Sequence, residues 1–377
     1  MDKADKSSFR WMRTGDQALA EMLDAIGTAK ISVQLEMYIF SADPVGEKFR
    51  DALVKARQRG VRVQVLVDAG GSVTLADDFW NNFLASGGEF RWFNRLTLHH
   101  FGLRDHRKIL VCDETTAFVG GFNIAKEYEG DGLTKGWRDL GLKICGPLAK
   151  HLGAAFDQMF ALAERKHKLF ARLRKSRQDK LVKISDAELL LSAPGRKINP
   201  LKRVLYHDLK RARKVQIICA YFLPTWRIRR ELRRIVRHGG KVQLILPGKS
   251  DVALSMMAAR SLYRRMLRAG IEVYEYQPQI LHAKMFVIDD VVYAGSANLD
   301  TRSLHLNYEL LVRLQQSELV DEAREIFAKD LPHCRKIELE SWRKERNVWE
   351  RMKGRWAYFI LARLDPYISR RQWKLMR

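Results

Sequence analysis

The pattern H-x-K-x₄-D occurs twice in this chain, at His106-Arg107-Lys108…Asp113 and at His282-Ala283-Lys284…Asp289, once in each half of 377 residues. Two identical short patterns need two identical local frames, so the constraint falls on the whole fold: it must contain a duplication. The flanks repeat as well. Gly120-Gly121-Phe122-Asn123 follows the first copy and Gly295-Ser296-Ala297-Asn298 the second, placing Asn123 17 residues after His106 and Asn298 16 after His282. A carboxylate comes 33 residues after the first histidine, at Asp139, and 27 after the second, at Glu309. Both copies together imply a single site.

The order of elements repeats in the same way. In the first half a helix is expected over 16–30, a buried strand over 31–40, an amphipathic helix over 45–59 stopped by Gly60, and a strand over 61–67. The second half gives a helix over 200–213, a strand over 215–222, a helix over 226–238 closed by Gly239-Gly240, and a strand over 242–246. β-branched strands alternating with helices of this length read as α/β units. Tyr38 and Tyr221 precede their histidines by 68 and 61 residues. Each motif then enters an apolar hairpin, 109–112 with 117–119 and 285–288 with 292–294, turned at Asp113 and Asp289. Alternation along a strand puts His and Lys on one face and Arg107 or Ala283 on the other. The glycines ending each hairpin are expected to let backbone approach a bound group.

The boundaries that follow are a first lobe over 10–164, a basic insert over 165–189, a second lobe over 190–332, and a tail over 333–377. Residues 165–183 carry nine Lys or Arg and read as a solvated helical linker. In the tail, Trp342, Trp349 and Trp356 recur every seven residues, and 335–377 hold 13 basic against 5 acidic residues. That spacing predicts one helical stripe of indoles, suited either to packing on the lobes or to a membrane surface with basic residues over anionic lipid.

Net charge is +24, which calls for an anionic partner: phosphate groups, nucleic acid or an acidic membrane. Cys112, Cys145, Cys219 and Cys334 show neither C-x-x-C nor metal spacing, and buried reduced thiols are expected. No metal and no cofactor is called for. The charged N-terminus MDKADKSS lacks the apolar core of a secretory signal, and no run approaches the ~18 apolar residues of a membrane span. A soluble or peripheral protein is the expectation.

A phosphodiester resists attack because it is anionic. Its catalyst must neutralise charge, supply a nucleophile and protonate the leaving oxygen. Two histidines can divide the last two tasks, one attacking phosphorus and the other donating a proton. Lys108 and Lys284 supply ammonium groups for the non-bridging oxygens, and Asn123 and Asn298, with Ser296, supply further polar contacts. A carboxylate behind each imidazole fixes its tautomer. Asp139 is expected behind His106, and Glu309 behind His282.

These residues resemble the phospholipase D superfamily over about 10–330, and most resemble the bacterial cardiolipin synthases in their shorter forms without N-terminal transmembrane helices. The most specific stretches are His106-Arg107-Lys108-Ile109, Gly120-Gly121-Phe122-Asn123, Trp137-Arg138-Asp139, and Gly295-Ser296-Ala297-Asn298-Leu299-Asp300-Thr301-Arg302-Ser303-Leu304 with Asn307-Tyr308-Glu309. The resemblance implies two lobes with mixed sheets flanked by helices, related by a pseudo-twofold, with the active site between them. It implies His106 as nucleophile, His282 as acid and base, and Asp113 and Asp289, the last motif residues, in structural roles. The implied reaction joins two phosphatidylglycerols into cardiolipin and glycerol, at the cytoplasmic face of the cell membrane as a peripheral protein. Phosphatidylglycerol and the membrane surface are then the partners, with no nucleic acid. The alternatives are a phospholipase D that hydrolyses or exchanges head groups, a phosphodiesterase acting on nucleic acid, and a non-catalytic phosphate-binding scaffold.

Overall fold

A computed structural model describes residues 6–95, 103–163, 181–184, 187–194, 199–344 and 347–365. Of the stretch expected as a helical linker, 165–183, residues 165–180 lie outside the described residues.

The first lobe is built on seven strands: β1 (Ser8–Met12), β2 (Ser32–Met37), β3 (Arg62–Asp68), β4 (Glu89–Phe93), β5 (Ile109–Cys112), β6 (Thr116–Gly120) and β7 (Gly141–Cys145), ordered β1-β7-β6-β5-β2-β3-β4. The second uses β8 (Leu181–Ile184), β9 (Ala187–Ser192), β10 (Lys214–Cys219), β11 (Lys241–Pro247), β12 (Glu272–Tyr276), β13 (Lys284–Ile288), β14 (Val291–Gly295), β15 (Glu309–Leu314) and β16 (Cys334–Lys336), ordered β16-β12-β11-β10-β13-β14-β15-β9-β8. Read from its other edge, the second sheet repeats the first strand for strand and adds β8 and β16 at its two ends. β2, β3 and β4 run parallel, as do β10, β11 and β12, and each set meets an antiparallel hairpin, β5–β6 or β13–β14. The stretch expected as an insert therefore supplies β8 and the start of β9 to the second sheet.

Local chemistry explains the repeated helices. Asp43 caps the helix Pro44–Gln58 by accepting from Val45 N and Gly46 N at 2.9 and 3.0 Å, with proline in the first turn where its missing N–H costs nothing. Gly60 (φ 88°) ends that helix and Gly239 (φ 80°) ends its counterpart Trp226–Arg237, both in the left-handed region that a side chain disfavours.

The two sheets bury one another. Ile109 and Val111 of β5 point into a core shared with Met285 and Val287 of β13, while Leu110 and Cys112, and Phe286 and Ile288, point outward under the helices. Both hairpin strands are apolar on both faces for this reason. Cys112 and Cys219 are buried free thiols. The motif strands thus lie at the centre of the molecule, back to back.

The tail departs from the expected stripe. Trp342 sits on a short helix, Leu339–Lys344, is 7% exposed and packs on Tyr263 with ring centroids 5.0 Å apart. Asn347 then caps a new helix, Val348–Phe359, accepting from Glu350 N at 2.9 Å. Restarting the helix breaks the phase, so only Trp349 (70% exposed) and Trp356 (64%) share a helix. Among the described residues no helix is long and apolar enough to cross a membrane.

Candidate active site

Because β5 and β13 meet in the shared core, the residues leading into them meet at the lobe boundary. His106, Lys108, His282 and Lys284 are all buried there. Arg107 turns away, as alternation requires, into a buried ion pair with Glu36 (2.6 and 2.9 Å), and Ala283 is fully buried.

The lobes are stitched together by backbone at this point. His106 N donates to Tyr308 O at 3.0 Å, and Tyr308 N donates to Arg104 O at 2.9 Å. The equivalent stitch has Arg138 N donating to Ile280 O and His282 N donating to Arg138 O, both at 2.8 Å. Tyr308 and Arg138 are the residues immediately before Glu309 and Asp139. Each histidine is therefore laid beside the carboxylate of the other lobe. His106 Nδ1 lies 3.1 Å from Glu309 Oε2, and His282 Nδ1 lies 2.6 Å from Asp139 Oδ2. The pairing expected from sequence, Asp139 with His106 and Glu309 with His282, is reversed. Its physical reason is the stitch: the strand ends that carry the carboxylates run across the boundary and not back toward their own histidines.

The hairpin glycines serve these carboxylates. A Cβ on Gly120 would sit 2.6 Å from Leu140 O, and one on Gly295 2.3 Å from Leu310 O. They admit the backbone that follows Asp139 and Glu309, so the close approach expected toward a bound group is made by a neighbouring strand. At the next position the lobes differ. A Cβ on Gly121 would fall 2.0 Å from Asp139 Oδ1, whereas Ser296 Oγ donates to Glu309 Oε2 and accepts from Leu310 N at 3.0 Å. The shorter Asp139 occupies the space over a glycine, and the longer Glu309 is met by a hydroxyl.

The asparagines fasten loops. Asn123 Oδ1 accepts from Ile39 N at 3.0 Å, and Asn298 Oδ1 accepts from Tyr221 N at 3.2 Å. Tyr221 is therefore the counterpart of Ile39, one position off the equivalence with Tyr38 that spacing suggests. Asn123 Nδ2, expected as a phosphate donor, gives a hydrogen bond to Tyr128 Oη at 2.6 Å. Tyr128 has no obvious sequence signature beyond its place five residues after Asn123, yet it forms an edge contact with His282 (5.5 Å) beside Trp137 (5.6 Å). Tyr38 makes the corresponding contact with His106 at 4.7 Å and lies 4.9 Å under Lys108 Nζ. Lys108 Nζ donates to His106 O at 2.6 Å, and Lys284 Nζ donates to His282 O.

The motif aspartates are not at the imidazoles. Asp113 (φ 54°) and Asp289 (φ 46°) sit at the far end of each hairpin. Asp113 accepts from the backbone of Lys30, Ile31 and Ser32 at 2.7–2.9 Å, and Asp289 accepts from Arg213 and Lys214 at 3.1 and 2.7 Å. They pin the hairpin turns to the starts of β2 and β10.

Electrostatics follow from burial and crossed charges. Burial drives both histidines below their ordinary value against the pull of Glu309 on His106 and Asp139 on His282. Lys284 pushes His282 further, to about 4. Burial would raise Asp139 and Glu309, but Lys284 and His282 beside the first, and His106 and Lys108 beside the second, hold both below the usual carboxylate range. Burial brings Lys108 down to about 7 and lowers Lys284. The resting site is two anionic carboxylates behind two neutral imidazoles, with Lys108 poised to take up a proton when an anion arrives. Among the described residues no three His, Cys, Asp or Glu are grouped as a metal site.

Two histidines, two lysines and two carboxylates, drawn from both halves of a duplicated α/β chain, thus meet at the lobe boundary. A family model described as "Cardiolipin synthase, PLD-like domain" matches residues 22–159 and 205–331. Cardiolipin synthase 1 of Bacillus anthracis is 32% identical over 354 residues, covering 90% of this chain and 70% of that one. Cardiolipin synthase B of Escherichia coli (strain K12) is 30% identical over 376 residues, covering 96% and 90%. The crystal structure of phosphatidylserine synthase from Haemophilus influenzae Rd KW20 superposes with a TM-score of 0.76 at 15% identity, covering 96% of this chain and 94% of that one, which shows the fold. The chain belongs to the cardiolipin synthase family of phospholipase D-like proteins.

Proposed function

We propose that His106 and His282 work in turn on one phosphodiester through a phosphatidyl-histidine intermediate. The enzyme is a phosphatidyltransferase of the cardiolipin synthase type. The observation that carries the mechanism is the pair of Nδ1–carboxylate contacts. With a proton held on Nδ1 by Glu309 or Asp139, Nε2 of each ring is left for chemistry. His106 Nε2 attacks phosphorus, forming a P–N bond as the bond to the leaving glycerol oxygen breaks, and His282 Nε2 gives that oxygen its proton. A hydroxyl of a second phosphatidylglycerol then yields its proton to His282, and its oxygen displaces His106 from phosphorus. Lys108 and Lys284 neutralise the non-bridging oxygens. The bound anion raises the basicity of His282, so that its Nε2 takes up a proton from water on substrate binding and carries it into the first step. The natural setting is the surface of an anionic membrane at the cytoplasmic face, which the net charge of +24 suits.

A second reading exchanges the two roles. Each ring has the same Nδ1–carboxylate support, which leaves either Nε2 able to attack. The test is trapping. With a phosphatidyl donor carrying a good leaving group, His282→Ala should accumulate an adduct on His106, read by mass spectrometry of the denatured protein, and His106→Ala should not. An adduct on His282 in the His106→Ala protein would reverse the roles, and no adduct in either would remove the covalent intermediate.

A further inference from the structure

The helix Trp226–Arg237 and its first-lobe counterpart Pro44–Gln58 occupy equivalent places in the duplicated fold but differ in charge. The first-lobe helix has four basic and two acidic residues, whereas Trp226–Arg237 has six arginines and one glutamate. Beside it the helix Ala253–Leu267 carries arginines and no acid, and the tail helix Val348–Phe359 packs on it. Between the first two helices lies a cleft of about 260 Å³ with Arg229, Arg233 and Arg265 at its rim and Leu232, Leu262 and Met266 beneath. Arg229 Nε is buried there without a hydrogen-bond partner. Its guanidinium lies 5.6 Å from the Tyr358 ring of the tail helix, joining cleft and tail.

The same face concentrates exposed apolar area. Among the described residues the three exposed tryptophans, Trp226 (57%), Trp349 (70%) and Trp356 (64%), all belong to these helices, with Phe359 at 51%. Arg268, Arg343, Arg351 and Arg355 crowd Arg264 closely enough to weaken its hold on its proton. Such a gathering of like charge at a fold's surface is stabilised by an anionic partner. Indoles standing among arginines match the depth profile of a lipid interface, rings at head-group level and guanidinium groups on phosphate. Beyond the tail helix Asp365 pairs with Arg302 at 2.6 Å, and Arg302 acts electrostatically on Tyr38, which touches His106.

We propose that this second-lobe face docks on an anionic phospholipid bilayer, with the arginine-rimmed cleft holding the phosphate of one lipid head group that is not turned over. The docking site rests on the reading that the substrate is a bilayer phospholipid. It makes the enzyme asymmetric about its pseudo-twofold, with one lobe seated on lipid.

The test uses the full chain, in co-sedimentation with vesicles of phosphatidylglycerol in phosphatidylcholine and of phosphatidylcholine alone. The triple variant R229Q/R233Q/R265Q should lose about 100-fold in partition onto the anionic vesicles, about fivefold per arginine, and the single variant R229Q about fivefold. W349S/W356S should weaken partition but leave its salt dependence. Turnover of a short-chain phosphatidylglycerol below its micelle concentration should match the wild type in all variants, which also reports that they fold. Wild-type partition by the triple variant, or equal binding to neutral vesicles, would overturn the docking site. Loss of binding to a DNA duplex with vesicle partition unmoved would give the face to nucleic acid and overturn it equally. Absence of soluble turnover in the wild type would overturn the catalytic reading, leaving the vesicle measurement to judge docking alone.

Discussion

Replacing Glu309 by glutamine tests the crossed pairing directly. Glu309 is fully buried and lies 3.1 Å from His106 Nδ1, with Ser296 Oγ on the same oxygen. When the Nε2 of that ring bonds to phosphorus, the imidazole becomes cationic, and the carboxylate then faces a unit charge about 4 Å away. At the effective dielectric of ~20 that suits such sites the attraction is about 4 kcal/mol. Glutamine keeps the shape and forfeits most of it, so the step that charges the ring should slow by on the order of 10³-fold. The assay is the burst of nitrophenolate from a short-chain phosphatidyl-p-nitrophenol, whose leaving group needs no acid. Acid quench and mass spectrometry identify the histidine that carries the adduct. The substitution that suppresses the burst should lie in the opposite lobe to that histidine: Glu309→Gln if the label is on His106, Asp139→Asn if it is on His282. The partner substitution should leave the burst within about tenfold and slow the second step instead. Suppression by the substitution in the same lobe as the labelled histidine would refute the crossed arrangement.

Four further outcomes follow from the same geometry. Ser296→Ala removes one donor to Glu309 and should lower turnover about tenfold with the fold intact; Gly121→Ala, whose Cβ would fall 2.0 Å from Asp139 Oδ1, should cost about 100-fold by displacing that carboxylate, both read as kcat beside unfolding temperature. Burial leaves the Lys108 ammonium with a value of about 7 in the free protein, so above that pH an anionic ligand must bring a proton with it. The dissociation constant of a non-reacting short-chain phosphodiester should therefore rise up to about tenfold per pH unit above 7, with proton uptake in calorimetry, and Lys108→Gln should reduce the slope. Asp113→Ala should lower stability by about 2–4 kcal/mol through loss of its charged bonds to backbone amides while leaving kcat of the folded protein within about threefold. Those bonds hold the Asp113 carboxyl below its ordinary value, so its contribution is present above the unfolded value and fades as pH falls through the folded one; denaturation of the variant should show a shallower acid limb.

Periodicity and repetition carried most of the fold. Strands such as β5, and β13 beyond Lys284, are apolar at every position because each is covered on both faces, and that pattern is visible without coordinates. The histidines and lysines were equally legible, since their spacing repeats. What a linear reading could not supply was the partner across the boundary: chain distance offers Asp139 to His106, while the backbone stitch at Tyr308 and Arg138 decides otherwise. Tyr128 escaped notice for a similar reason, because its role comes from a contact with a ring 154 residues away. The indole spacing misled because periodicity assumes an unbroken helix, and the cap at Asn347 resets the phase between Trp342 and Trp349.

The crossing has a consequence for how the two halves can differ. His106 with Glu309 and His282 with Asp139 are equivalent pairs under the pseudo-twofold, the reciprocal contact that a twofold interface imposes. Strict symmetry would give both imidazoles the same surroundings, which suits poorly the proposed division of labour between a nucleophile and a proton carrier. Within one chain the copies are free to diverge, and they have done so at the second layer. Glycine meets the shorter acid behind His282, serine meets the longer acid behind His106, and Lys284 sits 2.9 Å from the His282 ring nitrogen, a contact Lys108 does not repeat. Tyr128 and Trp137 enclose His282, whereas His106 has Tyr38. These differences bear on basicity while the positions of the two rings stay matched. The Nδ1–carboxylate contacts keep the symmetry of the duplication, and the residues behind them break it, which is the asymmetry that the proposed division of roles between His106 and His282 requires.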